Sequence, residues 1–426
     1  MRIALVSRQV ATLPHSGLSR ASGELAAGLA ALGHDVHLIA EQAGGLARPE
    51  GVAVHDVNGG RPLAWAAAAH AELERIDGLD VVSVPLWGSA GIFAARDPRW
   101  ATVVSCMTSA ITIAELEPGW TEVAEHREAL RLERLALAGA RHLHGLTRAA
   151  LDKTIADYGL TPLTAGVVGR GLRDRAAGVT PPSPHDGPVE LLFVGRAEAR
   201  KGADVLLDAV RTLLAEGADL RLTLVAPGAE VGGDERIRVE GPVSEARLHE
   251  LYACADVVCQ PSRYESHGIV LVEAMMYGRP LVTTTAGGIP EVVEDGGNAL
   301  LAAPGDAAAL AAALRTLVAS PELRVCMGAR SRALYEERFE PAAVARAMAA
   351  LLAEAVSAHA AAPPDPAAGV ALARSLADAV ATAESERDEA RAATATADAR
   401  LLALTGSRSW RVTRPLREAA RRARRP

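Results

Sequence analysis

The sequence predicts an α/β protein made of two doubly wound parallel sheets in tandem, and three observations carry that expectation. The chain has 426 residues, beyond the roughly 250 to 300 at which a single hydrophobic core stops growing. Short β-rich runs alternate with Ala- and Leu-rich helical stretches, the order of a parallel sheet with crossover helices. That alternation breaks once, at AAGVTPPSPHDGP over 176–188, whose Pro and Gly continue neither helix nor strand, and then it restarts.

In the first half, Ile3–Ser7, Asp35–Ala40, Val52–Val57, Val81–Leu86 and Ala101–Ser105 read as buried strands, with Gly17–Gly33 as the first crossover helix. In the second, strands at Val189–Val194, Leu220–Ala226, Val257–Pro261 and Pro280–Thr285 alternate with helices at Ala203–Glu216, Glu245–Cys254, Gly268–Tyr277 and Asp306–Ala319. The expected organisation is a first domain over 1–177, a linker over 178–188 and a second domain over 189–338. A helix over 339–360, a long charged helix over 368–404 and a basic tail over 405–426 follow.

Composition narrows the function classes. The chain is 49% hydrophobic but only 3% aromatic, so Ala-rich helices must approach their sheets closely. A net charge of -7 excludes a surface built wholly for nucleic acid. From Ser407 onward, however, eight Arg face one Glu, a balance of +7 that leaves -14 on the preceding chain. Cys106, Cys254, Cys259 and Cys326 form no CxxC pair, so a structural metal is not expected and buried, reduced thiols are. No basic leader precedes the apolar run Ile3–Val6, and no segment reaches about 18 uninterrupted apolar residues. A cytoplasmic protein that does not span a membrane is the expectation.

Chemistry-bearing residues concentrate in the second half. The strand ending at Val194 runs into Gly195-Arg196 and, after 197–200, into Lys201-Gly202 and a helix. Two cations therefore stand at the carboxyl edge of a strand, where a diphosphate would meet both. Alone, such a pair fits a solvated loop better. Glu265 and Glu273 then bracket a helix start in YESHGIVLVE. The first N–H groups of that helix, at Gly268, Ile269 and Val270, have no carbonyl one turn back and suit an anion. Gly268 lets it approach without a Cβ in the way. Each carboxylate, taken singly, also fits a cap or a solvated helix face. Gly287-Gly288-Ile289-Pro290-Glu291 adds a tight loop at the next strand's carboxyl edge.

Together, VGRAEARKG at 194–202, the Glu265 to Glu273 pair, EAMMYGRP at 273–280 and GGIPEVVEDGGNALL at 287–301 resemble glycosyltransferase family 4. The resemblance spans nearly all of 189–340; SGLSR at 16–20 and LER at 132–134 extend it more loosely into the first half. It implies the GT-B architecture, two Rossmann-like domains facing across a cleft with a C-terminal helical extension, in which 339–360 crosses back onto the first domain. It also implies a retaining transfer from a nucleotide-diphosphate sugar with no cofactor required. Arg196 and Lys201 would hold the donor diphosphate, and Glu265 with the Gly268–Val270 backbone the transferred sugar and its phosphate. Glu273 would hold the ribose, and Gly17 would offer its backbone to the diphosphate from the opposite domain. Gly195 belongs to the same donor set, with Val243 in the Pro242-Val243-Ser244 loop that would contact the base.

Two departures matter. Many relatives carry a His in the loop after the strand at 102–105, where this chain reads Cys106-Met107-Thr108-Ser109; Ser19 replaces the second glycine of the usual loop, beside His15. Near the end, LTGSRSWRVTRPLR at 404–417 resembles an appendage of bacterial surface-polysaccharide glycosyltransferases. Its Trp410, Val412, Leu416 and arginines suit an anionic bilayer surface. The 372–404 stretch suits a short coiled coil and hence an oligomer. The sequence therefore points to a transferase acting on a glycan or lipid-linked acceptor. A nucleotide-sugar-binding scaffold and a transferase acting on a small natural product remain open. A nicotinamide enzyme is disfavoured because Arg8 to Gly17 lacks GxGxxG.

Overall fold

The strands form where apolar runs are flanked by turn residues, and the central ones are buried on both faces as a parallel sheet requires. In the computed structural model the described residues are 1–8, 17–41, 48–58, 60, 62–88, 90–176, 178–179, 185, 187–229 and 231–364, without the side chains of 17–20. The segments 368–404 and 405–426, and with them the expected long helix and basic tail, lie outside them, as do His15 and Ser16.

The first sheet comprises β1 (Arg2–Ser7), β2 (Asp35–Ala40), β3 (Val52–Asp56), β4 (Val81–Pro85), β5 (Ala101–Cys106), β6 (His142–Gly145) and β7 (Thr164–Val167). Their spatial order is β3-β2-β1-β4-β5-β6-β7, all pairs parallel. The second comprises β8 (Val189–Val194), β9 (Leu220–Val225), β10 (Ile237–Glu240), β11 (Val257–Gln260), β12 (Leu281–Thr284) and β13 (Ala299–Ala302), in the order β10-β9-β8-β11-β12-β13. Both orders reverse beside the sheet's first strand, between β1 and β4 and between β8 and β11. Crossover helices therefore leave on opposite faces there, and a crevice opens at the carboxyl ends of the strands. These are the two doubly wound, Rossmann-like sheets that the alternation predicts.

The sequence pattern does not signal β7 or β13. Thr164–Val167 is a partly exposed edge strand with an internal glycine, and Ala299–Ala302, ALLA, has the composition of a helix. Each is specified by the neighbour that it pairs with.

Packing explains the rest. Leu191 and Phe193 of β8 bury against Leu206, Val210 and Leu213 of the helix Ala203–Ala215 on one face, while Leu192 meets Leu271, Val272 and Met275 of the helix Ile269–Met276 on the other. Each such side chain contributes roughly 1.5 to 3 kcal/mol. Ile3, Leu5, Val36 and Leu38 pack with Leu29 and with Val344, Met348 and Leu352 of the helix Pro341–Ala361. The last described helix thus returns to the first sheet. By length and composition it could cross a membrane, but this face is part of the core. Small residues set how close it comes: a Cβ on Gly28 would lie 2.8 Å from the Ala345 Cβ.

One expectation is corrected. The cysteines are free, but only Cys106 and Cys259 are buried; Cys254 and Cys326 are exposed. Both fall at solvent-facing helical positions, where no apolar partner draws the thiol inward. A cluster of His70, Glu74 and Asp97 has metal-like spacing, yet Arg99 donates to both carboxylates and already supplies their counter-charge.

Candidate active site

The carboxyl edge of the second sheet assembles most of the residues singled out by sequence. Lys201 lies in the single turn Ala199–Lys201 after β8, and its Nζ donates to Glu265 Oε1 at 2.5 Å. Ser262 donates to the same oxygen at 3.1 Å and receives a hydrogen bond from Gln260 at 2.8 Å. Arg200, buried beside them, holds the Tyr264 carbonyl at 3.2 Å and places Nη1 3.6 Å from Glu265 Oε2. Arg196 is placed differently. Its side chain is 75% exposed and paired with Glu198, which also meets Arg200. Three cations thus share two carboxylates, an excess of one positive charge at the edge of the sheet. An incoming oxyanion finds that field already built.

Gly268 caps the helix Ile269–Met276 with φ of 82°, and a Cβ there would lie 2.9 Å from Leu271 Cδ1, so glycine is required. This helix is apolar all round, IVLVEAMM, because it is packed on every side. Its single acid, Glu273, is buried and accepts from the Tyr252 hydroxyl at 2.8 Å. Tyr252 stacks on Tyr277 with centroids 5.2 Å apart. Gly195 donates its N–H to the Val225 carbonyl at 3.1 Å, so that group serves the sheet. Val243 is half-buried beside Ser244, which caps the helix Glu245–Cys254 by accepting from the Arg247 N–H. Gly17 opens the helix Gly17–Ala31 after β1, across the cleft.

The two domains touch around this edge. Thr108 and Ser266 share a hydrogen bond at 3.2 Å, and the Thr147 hydroxyl donates to the Ser266 carbonyl at 2.7 Å. Glu291 accepts the N–H groups of Arg148 and Ala149 at 2.6 and 2.7 Å, capping a first-domain helix from the second domain. The tight glycine loop makes this approach feasible. A Cβ on Gly288 would sit 2.2 Å from Thr147 Oγ1, and one on Gly287 2.3 Å from the Glu265 carbonyl. A cavity of about 30 Å³ remains between Glu24, Leu172 and Arg173 on one side and Glu245, Tyr252 and Glu273 on the other.

The first domain's contribution is electrically different. Met107 follows β5 and lines a cavity with His144 of β6; His267, in the second domain beside Gly268, is also buried. Burial pulls their pKa values down to about 4 and about 3, helped at His267 by the Arg170 and Arg338 guanidiniums, so both are neutral at pH 7. His267 Nε2 accepts the Arg170 N–H at 3.3 Å, and its Nδ1 has no partner. Tyr252 and Arg170 carry no local sequence signal for the site; Arg200 and Glu291 lie within the runs at 194–202 and 287–301, which do not reveal their contacts.

Comparisons with known proteins agree with this geometry. The family model "Glycosyl transferase 4-like domain" matches 16–171, and "Glycosyl transferases group 1" matches 188–320. D-inositol 3-phosphate glycosyltransferase of Xylanimonas cellulosilytica is 31% identical over 316 residues, 67% of this chain and 74% of that protein. The chain belongs to glycosyltransferase family 4. Solved structures place the family 4 member in the GT-B fold. Sucrose-phosphate synthase of Thermosynechococcus elongatus superposes with a TM-score of 0.67 at 18% identity, covering 84% of this chain and all of that one. Anabaena HepE in complex with UDP-glucose gives 0.61 at 19%, covering 83% of this chain and all of that one. This family 4 chain is therefore a glycosyltransferase with two Rossmann-like domains, the second of which carries the charged edge described above.

Proposed function

We propose that the protein is a retaining glycosyltransferase that moves a sugar from a nucleotide-diphosphate donor to a glycan or lipid-linked acceptor, in surface polysaccharide or glycoconjugate synthesis. The observation that carries this reading is the pairing of Lys201 with Glu265 beside the Gly268 helix start, with the Tyr252–Glu273 pair one helical turn and a half deeper. A diphosphate at the helix N-terminus would meet the N–H groups of Ile269 and Val270, with Lys201 and a swung-in Arg196 on its oxygens. Glu265 would then hold the transferred sugar, Glu273 the ribose, and Gly195, Val243 and Gly17 the donor's remaining edges.

Under this reading the second domain, from 189 beyond a linker at 178–188, binds the donor, and the first binds the acceptor. Charge stabilisation of the departing diphosphate is the main catalytic contribution, with positioning by domain closure. The acceptor's proton passes to that leaving group, with no cofactor. HepE, solved with UDP-glucose, supports a nucleotide-sugar donor. The basic segment 405–426 fits work at the cytoplasmic face of a membrane, and 372–404 fits oligomer formation.

Incubation with UDP-, GDP-, ADP- and dTDP-sugars and a lipid extract as acceptor, followed by NMR of the product's anomeric proton, tests the proposal. One donor consumed with the anomeric configuration kept is the expected result. An inverted product would overturn the retaining assignment, and turnover with small-molecule acceptors alone would move the reading to natural-product glycosylation.

A further inference from the structure

Three residues after β7, Arg170 reaches a cavity of about 100 Å³ at the carboxyl edge of the first sheet. That volume accommodates several waters or a small charged substituent. Its wall includes the hydroxyls of Ser7, Ser22, Ser83 and Ser105, with His144 and Met107. His144 donates from Nε2 to the Val168 carbonyl at 2.8 Å, so its Nδ1 accepts from the Ser105 hydroxyl at 3.0 Å. That neutral ring brings no charge.

The Arg170 guanidinium does. Among the described residues it ion-pairs with no carboxylate, and its one hydrogen-bond acceptor is the Met107 sulfur, a weak acceptor. Burial lowers its pKa to about 10, with no neighbouring carboxylate opposing that shift, and it stays charged at pH 7. Glu24, the only carboxylate among the described wall residues, accepts the Arg173 N–H at 2.6 Å. The segment after β1, QVATLPHS at 9–16, contains neither Asp nor Glu. Arg170 is half-buried, and a charge drawn partly out of water without a partner is costly. A lone guanidinium in a hydroxyl-lined cavity marks the place where its counter-ion arrives with a ligand.

Every described wall residue comes from the first domain or from the helix Pro341–Ala361 that returns to it. We infer that Arg170 receives an oxyanion, a phosphate or a carboxylate, carried by the acceptor. Assigning that group to the acceptor rests on the transferase reading above; the anion site does not. The planar fork takes two oxygens, and the surrounding serines take neighbouring hydroxyls. Because the Arg170 N–H rests on His267, beside Gly268, the same oxyanion could instead ride on the transferred sugar as a uronic carboxylate.

Calorimetric titration of the full-length protein separates these sources, using glucose 6-phosphate against glucose and UDP-glucuronate against UDP-glucose, for the wild type and Arg170→Met. The expected result is at least tenfold tighter binding of glucose 6-phosphate than of glucose, lost in Arg170→Met, while UDP-glucose binding changes less than threefold. Inorganic phosphate should raise the wild-type Tm by more than that of Arg170→Met, which keeps only the second domain's charged edge. In phosphate-free buffer the variant should melt higher, since it has lost an unpaired charge. If Arg170-dependent discrimination arises only between UDP-glucuronate and UDP-glucose, the acceptor assignment is overturned. Equal affinity within both pairs, with the same phosphate-induced rise in Tm for the wild type and Arg170→Met, overturns the anion site itself. Should the wild type bind no nucleotide sugar, the transferase reading falls while the phosphate melting curves still decide the anion site.

Discussion

The two halves of the cleft handle charge in opposite ways. On the second domain's edge, Lys201, Arg200 and Glu265 satisfy one another, and Tyr252 fixes Glu273. On the first domain's edge His144 is neutral and, among the described residues, the Arg170 guanidinium has only a thioether. The same topology thus carries a site preorganised by its own ion pairs and a site whose charge waits for a partner. Preorganised groups need no rearrangement when charge develops on a leaving group, whereas an unpaired group gains most from binding itself. Perturbing each half should therefore show up in different measurements.

The largest effect should come from the paired edge. Lys201→Ala leaves Glu265 with Arg200 at 3.6 Å and removes the point charge beside the helix start; kcat/KM should fall about 100- to 1,000-fold with little change in acceptor KM. Glu273→Gln keeps the Tyr252 contact but not the carboxylate, and the donor Kd should rise roughly tenfold, as for one charge-assisted hydrogen bond. A smaller change is expected from Gly288→Ala, whose Cβ would collide with Thr147 Oγ1. Domain closure should suffer and kcat drop on the order of tenfold, while the donor Kd stays near the wild-type value.

The smallest expected effect sharpens the contrast through pH. His144 and His267 have folded pKa values below their ordinary value, so the unfolded chain binds more protons in the acid range. Their contribution to stability is complete above about pH 6.5 and is lost as pH falls towards 4 and then 3. Tm should decline between pH 7 and 5, and His267→Phe should flatten that decline, because the apolar ring still packs on Phe339 and leaves no orphaned Nδ1. An unchanged slope in the variant would mean that other groups set the acid limit.

What the sequence could reveal follows the same division. Lys201, Glu265, Gly268 and Glu273 stand within or beside contiguous motifs, because a strand edge and a helix start are local structures. Tyr252 reaches Glu273 from 21 residues away and Glu291 reaches Arg148 from 143, so neither is legible without the sheet order. Arg170 looks like an ordinary loop residue until β5 and β7 bring it beside Met107. The fold was legible for a related reason: strand and helix alternation is written along the chain, whereas β7 and β13 depend on their neighbours for definition. Arg196 shows the limit in the other direction, since the motif gives its position along the chain but not the direction in which its side chain points.

The central claim, a nucleotide-sugar site on the second domain, is tested most directly by calorimetric titration with UDP-, GDP-, ADP- and dTDP-sugars, comparing the wild type with Arg196→Ala and Glu273→Ala. The account predicts that one base is preferred and that both substitutions weaken or abolish its binding. Binding of no nucleotide sugar, or binding that both variants retain at wild-type affinity, would contradict it.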